Sequence, residues 1–116
     1  MTDLRFRIQG RSESAARTRV EARGFTLVLD EPPDLGGTDQ GPNPVEYLLA
    51  ALAGCINVVG HMVARELGFE LRGLEIDAEG RLDPERLLRG SGAERAGFGE
   101  IRVSVRVDAD ADDRTL

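Results

Sequence analysis

Alternating apolar and polar residues predict five β-strands, three before and two after one long apolar segment. Leu4, Phe6 and Ile8 alternate with charged or polar residues, which is typical of a half-buried strand. Four further segments are typical of strands: 17–22, 25–29, 71–82 and 101–107. Short turns containing Gly or Ser separate the first three strands, so we expect an antiparallel meander there.

The long apolar segment predicts a helix over Val45–Leu67. Asn43 suits the N-cap position and Pro44 the first helical position, because a proline lacks the N–H that would be unpaired there. Gly68 follows where a C-cap glycine is expected. Glu46 complements the positive end of the helix dipole.

The apolar run within this helix approaches the length of a membrane span. Glu46, Asn57 and His61 interrupt it, as do Gly54 and Gly60, and amphipathic strands lie on both sides. A helix buried inside protein explains this pattern better, so we expect no membrane partner.

Two connecting segments are expected to lack regular structure, 30–44 and 83–99. The first contains seven Gly or Pro residues, and long loops of this kind are often functional. In the second, Asp83-Pro84-Glu85 could begin one helical turn. At the end of the chain, the acidic stretch 108–116 is typical of a helix N-terminus. The order of elements predicts a single α+β domain over residues 1–116, with mostly antiparallel strands.

Composition and charge exclude several classes of protein. The chain has 15 basic residues, all Arg, and 21 acidic residues, for a net charge of −6, which is unfavourable for binding nucleic acid. One Cys and one His cannot form an intramolecular disulfide or a Cys/His zinc site, and we expect no metal and no cofactor. No signal peptide is visible at the start, so we expect a cytoplasmic protein with a reduced thiol.

That single cysteine, Cys55, lies on an aliphatic stripe of the predicted helix. Leu48, Leu52, Val59 and Met62 all fall within about 60° of it on the helical wheel. An apolar wall disfavours the thiolate, so Cys55 is either an inert core thiol or a reactive one that an Arg reaches from another element.

A second stripe of the helix consists of small or polar residues: Ala50, Ala53, Gly54, Asn57, Gly60, His61 and Ala64. Small side chains permit a close helix–helix crossing, including one with a second subunit, or packing against the chain's own sheet. Asn57 and His61 are four residues apart and could share a hydrogen-bond network. Glu46 lies about 180° from Cys55 on the wheel, so it is either a first-turn acid or a partner for an Arg from elsewhere.

Two stretches together resemble the family of osmotically inducible protein C and organic hydroperoxide resistance protein (OsmC/Ohr). One is the loop Asp30–Gly37, which ends in Leu-Gly-Gly. The other is Gly41–Cys55, which runs from Pro-Asn-Pro through Glu46 to Ala-Gly-Cys. The segment Glu94–Ile101 is similar to a branch of OsmC-like proteins other than the best-studied peroxidases. The resemblance covers roughly residues 14–113.

This resemblance implies an α+β fold with a long buried central helix, an intertwined homodimer and active sites at the subunit interface. It implies thiol-dependent reduction of organic hydroperoxides, with Cys55 as the attacking cysteine. Arg17 or Arg19 would stabilise its thiolate, and Glu46 would hold that Arg, although the family's acid aligns with Val45.

The family's second cysteine, which resolves the oxidised first one, lies on a helix after the last strand. The chain ends at Leu116, so either this C-terminal segment is missing from the sequence, which we favour, or the protein is a one-cysteine relative. Turnover would then need an external thiol reductant. The alternative is a non-catalytic OsmC-like dimer that binds an apolar small molecule at the subunit interface, and a purely structural remnant is a third reading.

Overall fold

The computed structural model describes residues 3–83 and 98–111 of the chain. Within them the chain forms one long helix, one 3₁₀ turn and five strands, which confirms the predicted α+β class. In chain order these elements are β1 (Gln9–Ser12), β2 (Thr18–Ala22), β3 (Phe25–Leu29), a 3₁₀ turn (Pro33–Leu35), α1 (Pro44–Leu67), β4 (Glu70–Leu82) and β5 (Phe98–Asp110). The chain divides into two compact units, Met1–Leu48 and Leu49–Leu116.

The first unit contains a three-stranded antiparallel sheet in the order β1-β2-β3, which confirms the predicted meander. Arg23 and Gly24 connect β2 to β3, and both have positive φ. A two-residue hairpin turn of type I′ needs positive φ at both positions because its twist matches that of the strands. Glycine adopts this conformation without a steric penalty, which explains the turn at this point.

The prediction of a strand at residues 4–8 is wrong by several residues. β1 begins at Gln9, opposite Glu21, and β2 ends one residue later at Ala22. Residues 3–7 therefore extend past the end of β2, where no described residue pairs with them. Leu4 and Phe6 consequently leave most of their surface exposed, at 81% and 86%.

The loop between β3 and α1 is irregular, as predicted, apart from the 3₁₀ turn at Pro33–Leu35. The backbone N–H of Asp30 donates to the carbonyl of Pro42, and that of Asp39 donates to the carbonyl of Glu31. These bonds bring the two ends of the loop together, so it is an ordered structure rather than a loose connection.

Both predicted ends of the helix are confirmed within one residue. Gly68 has a φ of 77°, its N–H donates to the carbonyl of Arg65, and the N–H of Phe69 donates to the carbonyl of Ala64. This pair of bonds is a Schellman motif, which needs a left-handed residue and therefore favours glycine. By length and composition α1 could span a membrane, with a mean hydropathy of 1.7 over a window that is 6% buried.

The second unit contains an antiparallel ribbon of two long strands, β4 and β5. One face is apolar, where Leu74, Ile76 and Ala78 lie opposite Val107, Val105 and Val103. The other face is charged, and Arg106 bonds Glu75 directly across it at 2.8 Å. The two faces follow from alternation along the regular part of the ribbon, while the register shifts between Leu71 and Gly73 and between Arg81 and Leu82.

β5 extends further at both ends than the sequence predicts. The sequence predicts irregular structure at Phe98 and Gly99, but both are strand residues, since Phe98 pairs with Leu82. The acidic stretch from Asp108 was expected to begin a helix, but residues 108–110 continue the strand because β4 offers partners as far as Glu70. Pro84 and Glu85, the rest of the predicted helical turn, lie outside the described residues, as do residues 112–116.

The single chain buries little of its apolar surface. Among the described residues, Ala64 is the buried apolar side chain and Asp30 the buried polar one. The large apolar side chains exposed on α1 are Leu48, Val58, Val59, Met62, Val63 and Leu67, and those on β5 are Ile101, Val103, Val105 and Val107. The expectation that the helix is buried is therefore wrong for the single chain. The ribbon contacts α1 on one side, at Gly60, and the large apolar side chains named above leave the rest of the helix exposed.

Candidate functional site

Cys55 lies in the middle of α1 and is exposed. With Ile56, Val59 and Gly60 it lines an open, shallow and almost wholly apolar depression. Its stripe neighbours Val59 and Met62 are 55% and 53% exposed. The thiol is therefore not enclosed by a core of its own chain, which removes one basis for the inert reading.

The small-residue stripe of α1 faces the chain's own ribbon at one point. A Cβ atom on Gly60 would lie 2.9 Å from Cδ1 of Leu74, so the absence of a side chain permits this close contact. Packing against the chain's own sheet, one of two alternatives from the sequence, is thus observed here. His61 Nδ1 donates to the backbone carbonyl of Asn57 at 3.0 Å, which gives the predicted link between these two residues.

Arg17, in the turn before β2, is held by both its backbone and its side chain. Its N–H donates to Oγ of Ser14 at 2.8 Å, and its carbonyl accepts from the N–H of Glu13 at 2.8 Å. Its guanidinium donates through Nε to Glu13 at 3.2 Å and through Nη1 to the hydroxyl of Thr38 at 3.1 Å. Two separate acceptors therefore determine the direction of this guanidinium.

Arg19, the second candidate cation, is more exposed, and its side chain has one partner among the described residues. Its Nε donates to Glu13 at 3.0 Å, and its side chain is 48% exposed, against 30% for Arg17. Glu13 thus accepts from both arginines. The hydrogen bond from Arg19, followed by that from Arg17, holds the pKa of Glu13 below its ordinary value.

Asp30 is fully buried and accepts hydrogen bonds from several donors of its own loop. The strongest by distance are the Thr38 hydroxyl at 2.7 Å, the Glu31 N–H at 2.8 Å and the Gln40 N–H at 3.1 Å. The hydrogen bond from Thr38 holds the pKa of Asp30 below its ordinary value, although burial acts in the opposite direction. A buried carboxylate needs such donors to remain ionised.

Glu46 forms a capping box with Asn43. The N–H of Asn43 donates to Oε1 of Glu46 at 2.9 Å, and the N–H of Glu46 donates to Oδ1 of Asn43 at 2.8 Å. Each side chain pairs a backbone N–H that the helix leaves without a partner. The structure thus gives Glu46 the role of a first-turn acid, which was one of its two interpretations, and Glu13 is the carboxylate that contacts the candidate arginines.

The structure brings some of the predicted site residues together. Arg17 and Arg19 both donate to Glu13 in the first unit, and Glu46 forms hydrogen bonds with Asn43 at the start of α1. Cys55 belongs to the second unit. In the described parts of the chain, no cluster of three or more His, Cys, Asp or Glu side chains could hold a metal ion.

Sequence reasoning missed Glu13, Asp30 and Thr38. An aspartate at the start of a Gly/Pro-rich loop is a signal for side-chain capture of backbone N–H groups, so Asp30 was open to prediction. Thr38 lies 21 residues after Arg17, and no local pattern connects them. Glu13 precedes both arginines, but only the turn before β2 brings all three together.

Comparison with known proteins establishes the family. Residues 37–116 match the model of the OsmC-like protein family, so the chain belongs to that family. An OsmC-like protein from Mycoplasma pneumoniae is similar in structure, with a TM-score of 0.79 and 17% identity over 98% of this chain and 76% of that one. No curated protein matches the chain by sequence.

A second solved structure supports the same fold. It is a protein from Psychrobacter arcticus 273-4 described as a candidate osmotic-stress-induced and detoxification-response protein. The TM-score is 0.75 and the identity 15%, over 99% of this chain and 78% of that one. At such identities the likeness establishes the fold, and the family is the one that the sequence resembled.

Proposed function

We propose that this protein reduces organic hydroperoxides through Cys55. The thiolate sulfur attacks the terminal oxygen of R–O–OH, an S–O bond forms, and the O–O bond breaks. The alkoxide takes a proton and leaves as the alcohol, while the sulfur becomes a sulfenic acid. An external thiol then forms a mixed disulfide with loss of water, and a second thiol releases Cys55 reduced.

The observation that carries this proposal is the exposed Cys55 sulfur on an apolar surface, in a member of the OsmC-like family. A hydroperoxide must reach the sulfur, and an apolar surround favours an organic one over hydrogen peroxide. The description of the P. arcticus structure as a detoxification-response protein agrees with this chemistry.

Between the two candidate cations, the contacts favour Arg17. A cation supports a thiolate best when its position is fixed, and Arg17 has two side-chain acceptors where Arg19 has one. Glu13 takes the place of Glu46 as the acid that holds the arginine. The assignment of Glu46 to that role stays a prediction, which its capping contact does not favour.

Mass spectrometry tests the proposal directly. The reduced protein is treated with less than one equivalent of cumene hydroperoxide, and oxidation at Cys55 is followed by trapping the sulfenic acid. We expect stoichiometric oxidation much faster than that of a model thiol, and none in Cys55→Ser. A wild-type thiol that stays reduced, or that reacts no faster than the model thiol, refutes the proposal.

We also propose that the protein acts as a homodimer in which a second copy packs against the exposed apolar side of α1 and leaves Cys55 accessible from a cleft. Apolar side chains of this helix such as Val58, Val59 and Met62 are 53–58% exposed in the single chain. Soluble proteins rarely expose contiguous apolar surface unless a partner covers it. A membrane is the other covering that the helix composition permits, and recovery of the protein only in detergent would favour it.

A second candidate function is binding of an apolar small molecule at the same surface without catalysis. The apolar lining around Cys55 favours it, because such a lining needs no reaction to be useful. If Cys55→Ser keeps its ligand affinity and neither form reduces cumene hydroperoxide, this function replaces the first.

A further inference from the structure

The hydroxyl of Thr38 lies between a buried carboxylate and the guanidinium of Arg17. Arg17 Nη1 donates to Thr38 Oγ1 at 3.1 Å, and Thr38 Oγ1 donates to Asp30 Oδ2 at 2.7 Å. A hydroxyl has one proton to give, and an arginine can only donate. The direction of both bonds is therefore determined. Thr38 donates its one proton to Asp30, and Arg17 donates to a lone pair on the same Thr38 oxygen.

The buried carboxylate is itself oriented by backbone groups. The N–H groups of Glu31 and Gln40 donate to its two different oxygens, at 2.8 and 3.1 Å. Asp30 is also fixed along the chain, since its own N–H donates to the carbonyl of Pro42. The ordered loop thus determines the position of Asp30, which determines the rotation of the Thr38 hydroxyl.

Arg17 needs this second anchor because its first one is shared. Glu13 accepts from Arg17 at 3.2 Å through one oxygen and from Arg19 at 3.0 Å through the other. A single bond through Nε leaves an arginine side chain free to pivot, whereas a second bond through Nη1 fixes the plane of the guanidinium. Thr38 provides that second bond.

We propose that Asp30, acting through Thr38, is a positioning residue for Arg17 and thereby sets the reactivity of Cys55. This inference rests on the proposed function, in which Arg17 supports the Cys55 thiolate. Its simplest competitor is that Asp30 and Thr38 only hold the loop in shape. The two explanations differ in one expected effect: only the positioning role requires that loss of the Thr38 hydroxyl changes Cys55 oxidation by way of Arg17.

The first measurement follows the guanidinium itself. Protein labelled with ¹⁵N-arginine gives side-chain Nε–Hε signals, and Arg17→Lys identifies the signal of Arg17. We expect Thr38→Val, which removes the hydroxyl, to shift this signal and speed its exchange with water, while Thr38→Ser leaves both unchanged. An unchanged Arg17 signal in Thr38→Val overturns the proposal, whatever happens at Cys55.

The second measurement is the rate of Cys55 oxidation by cumene hydroperoxide between pH 5 and 8. We expect Thr38→Val to slow it about tenfold at neutral pH, since one bond to a charged group is lost, and Thr38→Ser to react like the wild type. Tyr47→Phe removes a hydrogen bond elsewhere in the same unit and serves as the control for lost stability. Addition of Thr38→Val to Arg17→Met should cause no further loss of rate.

The outcomes separate this inference from the function beneath it. If Arg17→Met slows the oxidation but Thr38→Val does not, the positioning role is refuted and the proposed function stands. A further loss when Thr38→Val is added to Arg17→Met also refutes it, because the hydroxyl then acts independently of Arg17. If the wild-type thiol itself does not react, the proposed function fails, and the role of Asp30 fails with it.

Discussion

The hydroxyl of Tyr47 donates a hydrogen bond of 3.0 Å to the backbone carbonyl of Val28. Tyr47 lies in the first turn of α1, and Val28 lies in β3, so this bond connects the helix start to the sheet of the first unit. Gly41 approaches the same carbonyl so closely that a Cβ atom there would collide with it. Three segments therefore meet at one backbone group.

Tyr47→Phe is expected to lower the free energy of unfolding by about 1 kcal/mol, the usual net value of one partly buried hydrogen bond. Urea unfolding at one protein concentration, followed by circular dichroism, measures this change. Thr26→Val is the matched control, since it removes a hydroxyl whose bond to Glu21 is 3.3 Å long and exposed. Equal losses in the two variants would contradict the importance of the Val28 contact.

The capping box makes a different prediction for its two members. Asn43→Ala is expected to cost about 1 kcal/mol of stability, because it removes an N-cap acceptor. Glu46→Gln keeps an oxygen for the N–H of Asn43, so its stability should change by less than about 1 kcal/mol, the value of a charge at the helix dipole.

The same Glu46→Gln variant tests whether Glu46 also holds an arginine. We expect its Cys55 oxidation rate to stay within about twofold of the wild type, because the structure pairs Glu46 with Asn43 and not with Arg17. A loss of tenfold or more at unchanged stability would restore the role that the family resemblance implies.

Whether the sequence can predict an element here depends on the range of the interactions that define it. Both ends of α1 are predictable because Asn43, Glu46 and Gly68 act within a few residues of each end. The start of β1 is not, because the alternation at residues 4–8 satisfies the local pattern while the pairing partners lie in β2, which ends at Ala22.

The candidate site shows the same division between local and distant contacts. Cys55 is predictable as the one thiol on a conspicuous helix. The contact of Arg17 with Thr38 spans 21 residues and depends on how the loop folds around Asp30, so no spacing rule predicts it. The family resemblance implies an arginine held by Glu46, and that role stays a prediction, while the acid that accepts from Arg17 and Arg19 in the structure is Glu13.

Asp30 should make the stability of the protein depend on pH. Its pKa is lowered in the folded state, chiefly by the hydrogen bond from Thr38, so ionised Asp30 stabilises the fold above its unfolded pKa of about 3.9. That contribution is lost as the pH falls through the lower folded-state pKa. The thermal midpoint of Asp30→Asn should therefore lie below that of the wild type at pH 7.

The difference between the two midpoints should then shrink as the pH falls below about 4. Calorimetric scans of both proteins between pH 2 and 7 measure it. Asp34→Asn is the control, since Asp34 is an exposed acid of the same loop, and it should follow the wild type throughout. A constant difference between wild type and Asp30→Asn at all pH values would contradict the ionised, hydrogen-bonded state of Asp30.

Arg17 and Arg19 should differ in their effect on Cys55. We expect Arg17→Met to slow oxidation by cumene hydroperoxide about tenfold or more, because a positioned cation is lost. Arg19→Met, which removes an equal charge from the same Glu13, should change the rate by less than about threefold. Stopped-flow trapping of the sulfenic acid gives both rates, and the reverse order would assign the role to Arg19.

The exposed side of α1 makes the last prediction, which concerns the state of the protein in solution. Val59 is 55% exposed next to Cys55, and a second copy packed there would bury it. Light scattering after size-exclusion chromatography should give the wild type twice the chain mass.

Val59→Asp should give a single-chain mass or a loss of folded structure, because an unpaired carboxylate in an apolar interface costs several kcal/mol. Ser104→Asp adds the same charge between Arg102 and Arg106 on the charged face of β5, and it should leave the dimer intact. A wild type of single-chain mass at every concentration, or a Val59→Asp variant that still dimerises, would contradict pairing through this side of the helix.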